Sequence, residues 1–303
     1  MQKRFEFHIS YKCPNNCIFC SEKSQLEKFP NQFVKFGTIE KNLKKFAKKS
    51  FNHITFTGGE PTLHPDIVDL VESAKQLRYK TYISSNGGLF SSEKFCRKIL
   101  PHLDEICFSV HGHNAKLHNF LTKNSKSFSR IKKAFENIEK YGSDIFCFVN
   151  VVITKYNFDH VEKIISFVSQ YKKVRQVLIS NVAPESNGLR NFEELSVPLD
   201  EIKKQVPLIV KTAKDKSLNI RFFGLPLCVL DGYEIYSNDI YWSPRLTLEK
   251  WKKGSRNTIK ETYSDKPSRN RIHTPKCKGC RRRGLCEGAF EKYIKVFGDK
   301  ELG

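Results

Sequence analysis

The spacing of apolar and polar positions along this chain switches repeatedly between a period of two and a period of three to four. Strand-like runs rich in β-branched and aromatic residues fall at Phe5–Ser10, His53–Thr57, Thr81–Ser85, Glu105–His111, Ile145–Ile153 and Val174–Val182. Between them lie stretches of helical spacing at Ile39–Lys49, Asp66–Leu77, Glu93–Leu100, Phe128–Tyr141, Phe158–Tyr171 and Leu199–Lys216. In the fourth of these, Phe128, Ile131, Phe135 and Ile138 share one face, leaving Arg130, Lys132, Lys133 and Lys140 to water. Asp66 after Pro65 and Asp159 after Asn157 supply helix-start chemistry.

Six strand–helix alternations predict βαβ units, a parallel sheet and right-handed crossovers. In such a sheet the ligand sits beyond the carboxyl ends of the strands. The chemically distinctive residues fall there. A cysteine loop follows the first strand, Gly58–Pro61 the second, Ser85–Gly88 the third and His111–His113 the fourth. Four loops then converge on one mouth. After about residue 218 the alternation stops. NIRFFGLPLCVL reads as one more strand, and residues 232–275 as aromatic, basic and irregular. PKCKGCRRRGLCEGAFEKYIKVFG reads as a small C-terminal module closing one end of the barrel.

Composition narrows the class. With 39% apolar and 12% aromatic residues, 303 residues can bury a sizeable core. No apolar run approaches the roughly 18 residues of a membrane span, and the start MQKRFEFHIS lacks the apolar core of a signal peptide. A cytoplasmic protein with reduced thiols is expected, so ten cysteines point to metal or cluster chemistry rather than a disulfide frame. The net charge is +21, and Arg245–Arg283 alone holds 14 Lys/Arg against 3 Asp/Glu, a net of +11. Such a surface attracts nucleic acid, anionic cofactors or acidic peptides. The plainer alternative is solvated lysine from an AT-rich genome.

Cys13, Cys17 and Cys20 form C-x3-C-x2-C in the polar loop after the first strand. A structural zinc takes four ligands and disulfides take pairs. Three thiolates can hold three irons of a [4Fe–4S] cluster and leave the fourth open to a ligand. With Phe19 before the last cysteine, and Gly58-Gly59-Glu60-Pro61 after the second strand, this pair of motifs resembles the radical S-adenosylmethionine (SAM) superfamily.

The resemblance implies an α/β fold, a partial (β/α)6 barrel over residues 1–218, and a [4Fe–4S] cluster on Cys13, Cys17 and Cys20 whose open iron is chelated by SAM. It places Phe19 beside the adenine, and the Gly58–Pro61 backbone with Glu60 at the methionine amino group. Ser84, Ser85 and Asn86 match positions that meet the ribose, Ser109 and His111 the carboxylate or ribose, and Asn150 a ribose-proximal asparagine. Buried strand serines and asparagines satisfied by backbone are the competing reading of these last positions. The implied chemistry is reductive cleavage of SAM to a 5′-deoxyadenosyl radical that abstracts hydrogen from a substrate, with an electron from a flavodoxin or ferredoxin.

Cys277, Cys280 and Cys286 form C-x2-C-x5-C near the end and resemble the C-terminal SPASM/Twitch modules that bind auxiliary [4Fe–4S] clusters. Phe290 stands where a full SPASM pattern has a further cysteine, which points to a single Twitch-like cluster in residues 219–303. Cys228 is the expected fourth ligand. A zinc ion on the same four thiolates is the alternative. Cys96, Cys107 and Cys147 read as small apolar fillers.

Three substrate classes stay open. A ribosomally made peptide leads, because the C-terminal module resembles those of peptide maturases. A small metabolite or cofactor precursor is second. Nucleic acid is third, on the strength of Arg281–Arg283, Tyr241, Trp242 and Trp251. A non-enzymatic iron–sulfur sensor is the remaining class. His64, His111, His113 and His118 are acid–base candidates, with His111 and His113 expected at the mouth together with Glu185.

Overall fold

The computed structural model describes residues 3–267 and 270–303; Met1 and Gln2 of the N-terminal run, and Ser268 and Arg269 of the basic segment, lie outside the described residues. Nine strands form one sheet: β1 (Arg4–Ser10), β2 (His53–Gly58), β3 (Lys80–Ser85), β4 (Glu105–Ser109), β5 (Phe146–Val152), β6 (Val174–Ser180), β7 (Asn219–Phe223), β8 (Arg245–Lys253) and β9 (Arg256–Ser264). Their order is β7-β6-β5-β4-β3-β2-β1-β8-β9. All neighbours pair in parallel except the β8–β9 hairpin. This is the expected α/β architecture of a radical SAM barrel.

Period-two patterning sorts the side chains. Phe5, Phe7, Ile9, Ile54, Phe56, Ile106, Phe108, Val149 and Val177 are fully buried on the helix side. The alternate positions, among them Glu6, His8, Thr55, Ser84, Ser109 and Asn150, give the other face a polar lining. A parallel sheet usually shows unbroken apolar runs because both faces are covered. Here the polar face marks where the fold holds a ligand. Behind it, Phe5 packs on Phe46, Phe51 and Tyr79 with ring centroids 5.0, 5.9 and 5.7 Å away. Each such ring taken from water contributes about 1.5–3 kcal/mol.

Helices Phe36–Ala47, Ile67–Gln76, Glu93–Ile99, Ser127–Tyr141 and Leu199–Asp215 occupy the expected crossovers. The stretch read as one helix from Phe158 begins as a 3₁₀ turn, Phe158–His160, before helix Val161–Val168. Helix Ala115–Thr122 was not anticipated; Asn114 caps it by accepting from Leu117 N at 2.9 Å.

The larger difference lies in residues 232–275, expected to be irregular. They contain the β8–β9 ribbon, and β8 joins the sheet parallel to β1 from Arg4↔Arg245 to Phe7↔Leu248. The sheet therefore takes strands from both sides of residue 218. After the ribbon come β10 (Arg271–Ile272), β11 (Ala289–Phe290) and helix Glu291–Phe297. A buried ion pair, Arg271 Nη1 to Asp239 Oδ2 at 2.6 Å, ties them to the chain between β7 and β8. Among the described residues no helix is long and apolar enough to cross a membrane.

Candidate active site

Beyond the carboxyl ends of β1–β7 lies a cavity of about 320 Å³. Cys13, Cys17, Phe19, Cys20, Gly58, Gly59, Ser84, Ser85, Asn86, Ser109, His111 and Asn150 all line it. Five strand ends thus bring the sequence-predicted residues to one place.

Glycine is required where the first two loops meet. Gly59 N donates to Ser10 O at 2.7 Å and Glu60 N to Lys12 O at 2.8 Å. A Cβ on Gly58 would lie 2.4 Å from Ser10 O, and one on Gly59 would lie 2.6 Å from Lys12 O. Gly58 also has φ +122°, a conformation that side chains disfavour. The two glycines let the second loop lie directly on the cysteine loop.

Glu60 and Pro61 do not line the cavity; both are buried. Glu60 Oε1 accepts from Ser85 Oγ at 2.8 Å, Thr62 Oγ1 at 2.6 Å and Thr62 N at 3.2 Å, and Oε2 accepts from Asn86 N at 2.7 Å. Burial pushes this carboxyl up, against those donors. In this geometry its side chain locks the β2 loop to the β3 loop. The neighbouring Asn86 Nδ2 stands 3.8 Å from Cys13 Sγ.

The cysteine loop is held from outside by residues that its own motif does not announce. Asn187 Nδ2 donates to Cys17 O at 3.0 Å, Asn187 N to Cys20 O at 3.0 Å and Asn191 Nδ2 to Ile18 O at 2.8 Å. Ile18 N donates to Leu121 O at 3.1 Å. Burial and the Glu60 charge push the Cys13 thiol up to about 12; burial also raises Cys17 and Cys20. A nucleophilic cysteine needs the opposite shift.

His111 carries a definite tautomer. Its Nδ1 accepts from Val152 N at 3.2 Å, so the proton sits on Nε2, and its ring packs edge-on against Phe19 at 4.5 Å. Burial, then the neighbouring His118, holds its pKa well below 6.5, so the ring is neutral. Asn150 Oδ1 accepts from Ser180 Oγ at 2.7 Å. The other histidines lie elsewhere. His64 uses Nε2 on Val34 O and Nδ1 on Asp66 N, while His118 uses Nδ1 on His111 N and Nε2 on Ser127 Oγ. His113 lines a separate surface groove with His160 and Tyr156. Glu185 does not line the cavity, although Ala183 does. Residues that the sequence reading missed are Asn15, Glu22, Thr57, Ser180, Asn181 and Phe223. Their signal was position alone, at or just beyond strand ends.

A second cavity, of about 330 Å³, is lined by Cys228, Cys277, Cys280 and Cys286 together with Arg281–Arg283, His273 and Gly303. Leu227 N and Gly288 N both donate to Cys286 Sγ at 3.3 Å. Gly288 has φ +82°, and a Cβ there would lie 2.1 Å from Ile272 O. Among the described residues no three His, Cys, Asp or Glu side chains close on a single metal ion.

A family model described as the radical SAM superfamily matches residues 7–168. The S-adenosylmethionine-dependent nucleotide dehydratase of Flammeovirga pacifica is 28% identical over 207 residues, covering 66% of this chain and 70% of that protein. A probable GTP 3′,8-cyclase of Thermoplasma volcanium is 25% identical over 218 residues, 70% of this chain and 62% of that protein. Among solved structures, Streptococcus suis SuiB bound to S-adenosylmethionine superposes with a TM-score of 0.67 at 18% identity, over 99% of this chain and 75% of that one. SuiB bound to its precursor peptide SuiA superposes with 0.58 at 18% identity, and there this chain spans only 48% of that one. These structural likenesses speak for the fold. The family match runs over more than half of the 303 residues, from the first strand through both motif loops, and the chain belongs to the radical SAM superfamily.

Proposed function

We propose that Cys13, Cys17 and Cys20 hold the [4Fe–4S] cluster that membership of this family implies, and that SAM binds beside it in the same cavity. When bound, the reduced cluster and SAM supply a 5′-deoxyadenosyl radical, which takes hydrogen from the substrate. The observation that carries this reading is the convergence of the three cysteines of one loop and hydrogen-bonding side chains from successive strand ends on one cavity. Ser84, Ser85, Asn86, Ser109 and Asn150 offer donors and acceptors to a ribose, His111 offers its Nε2–H, and Phe19 offers a ring to the adenine. Gly58 and Gly59 set the loop spacing and Glu60 holds the loops in place. The one-electron donor in this reading is a flavodoxin or ferredoxin.

The substrate we propose is a nucleotide or similar phosphorylated small molecule. The relatives with 25–28% identity are named for nucleotide chemistry, and the strongly basic chain suits an anionic ligand. A peptide is the second reading, favoured by the four-cysteine cavity in residues 219–303, which we propose as an auxiliary [4Fe–4S] module.

Anaerobic reconstitution, reduction and chromatography for 5′-deoxyadenosine test the reaction class. Wild type should release it from SAM and Cys17→Ala should release none; release by the variant would overturn the ligand assignment. Stimulation of that release by nucleoside triphosphates, and not by peptides, would support the substrate class.

A further inference from the structure

Of the phenylalanine, tyrosine and tryptophan rings among the described residues, two line the main cavity: Phe19 and Phe223. Phe19 belongs to the cysteine loop and lies against His111. Phe223 is different. It is the last residue of β7, an edge strand of the sheet, and the sequence motifs gave it no role.

Behind Phe223 the structure is layered. The Trp242 ring stacks on it, with centroids 6.3 Å apart and planes inclined by 26°. The Arg245 guanidinium covers Trp242 at 3.9 Å from the ring centre. Trp242 is fixed by its Nε1, which donates to Ser264 O at 3.5 Å, and Arg245 by Glu6 at 3.3 Å. Phe223, Trp242 and Arg245 come from β7, the crossover and β8, and β7 and β8 are not paired with each other in the sheet. The rings and the cation thus link two strands that share no backbone pairing.

An aromatic ring backed by a second ring and a cation is a rigid stacking surface. Planar heterocycles stack on such rings whatever their base identity. We propose that Phe223 is a substrate-binding residue on which the base of a nucleotide substrate stacks, with Trp242 and Arg245 as positioning residues behind it. This rests on the nucleotide reading above. Phe19 then serves the cofactor's base and Phe223 the substrate's, within one cavity.

Equilibrium dialysis of the reconstituted, SAM-loaded holoenzyme against labelled ATP, GTP, CTP and UTP tests it, with base-free ribose 5-triphosphate as the control ligand. At least one nucleotide should bind, and Phe223→Ala should weaken it roughly tenfold or more. Phe223→Tyr should restore affinity to within about threefold, and Trp242→Ala should weaken binding less than Phe223→Ala, with rescue by Trp242→Phe. Ribose 5-triphosphate should bind Phe223→Ala as it binds wild type. Equal nucleotide affinity in wild type and Phe223→Ala would overturn the platform and leave the nucleotide reading standing. Equal losses in Phe223→Ala and Phe223→Tyr would also overturn it. If none of the four nucleotides binds wild type, the nucleotide reading fails and the platform fails with it.

Discussion

Glu60 spends its charge inside the protein, on three donors to one oxygen and one to the other. In Glu60→Gln one of these positions becomes an NH2 facing an N–H or a hydroxyl already committed. The mismatch should cost about 1–3 kcal/mol of stability. It should also weaken SAM binding by loosening the β2 and β3 loops; denaturant titration and SAM dialysis check the two effects. His8 offers a pH signature. Burial alone would lower its pKa, but the charge and hydrogen bond of Glu22 at 3.1 Å, with Glu6 and Glu249, outweigh this and carry it up to about 9. A folded-state pKa above the unfolded value stabilises most below about pH 6.5, and that stabilisation is lost as pH rises through about 9. At most about 3 kcal/mol is involved. Stability should fall across that window, and His8→Gln should flatten the slope. A Cys13, Cys17, Cys20 spacing is legible in sequence because one short loop carries it. The His8–Glu22 pair is not, because it depends on how that loop folds back over β1.

At the scale of elements, the six alternating strands and most of their helices could be read because burial imposes a period on each segment separately. The β8–β9 ribbon could not. Among the described side chains of RLTLEKWKK, Leu248 alone is fully buried, and the inward positions Arg245 and Thr247 look like surface until β1 supplies Glu6 as their partner. Thr247 and Glu6 are 241 positions apart, so no local pattern encodes the contact. The buried Arg271–Asp239 pair is of the same kind, and it secures the C-terminal strands. Asp239→Ala should destabilise by about 3–5 kcal/mol because a buried guanidinium loses its partner. The double variant Asp239→Leu with Arg271→Met should recover most of that loss, by denaturant unfolding.

For the whole molecule, two cysteine-lined cavities share one chain, at the strand ends and in the C-terminal segment. If both hold a [4Fe–4S] cluster, Cys280→Ala should halve the iron of the reconstituted protein and leave the Cys13 loop loaded. Unchanged iron, by colorimetric assay with parallel zinc analysis, would assign the second cavity another role. The charge of +21 is also distributed in a way composition cannot reveal. Arg282 is paired with Glu234 at 2.6 Å and with Asp231, and Trp251 lies between Lys28 and Lys260. Part of the basic, aromatic segment is therefore engaged in contacts within the chain, although Trp251 stays exposed.

The sequence by itself determined the alternating frame, the two motif loops and their place at the strand ends, because hydrophobic period and short-range spacing are local properties. Only the tertiary structure decided that Glu60 braces rather than lines, that Asn187 and Asn191 hold the cysteine loop, that β8 joins β1, and that Phe223 faces the cavity with Trp242 behind it. Each of these depends on groups far apart in the chain, whose energies exist only once the sheet has brought them into contact.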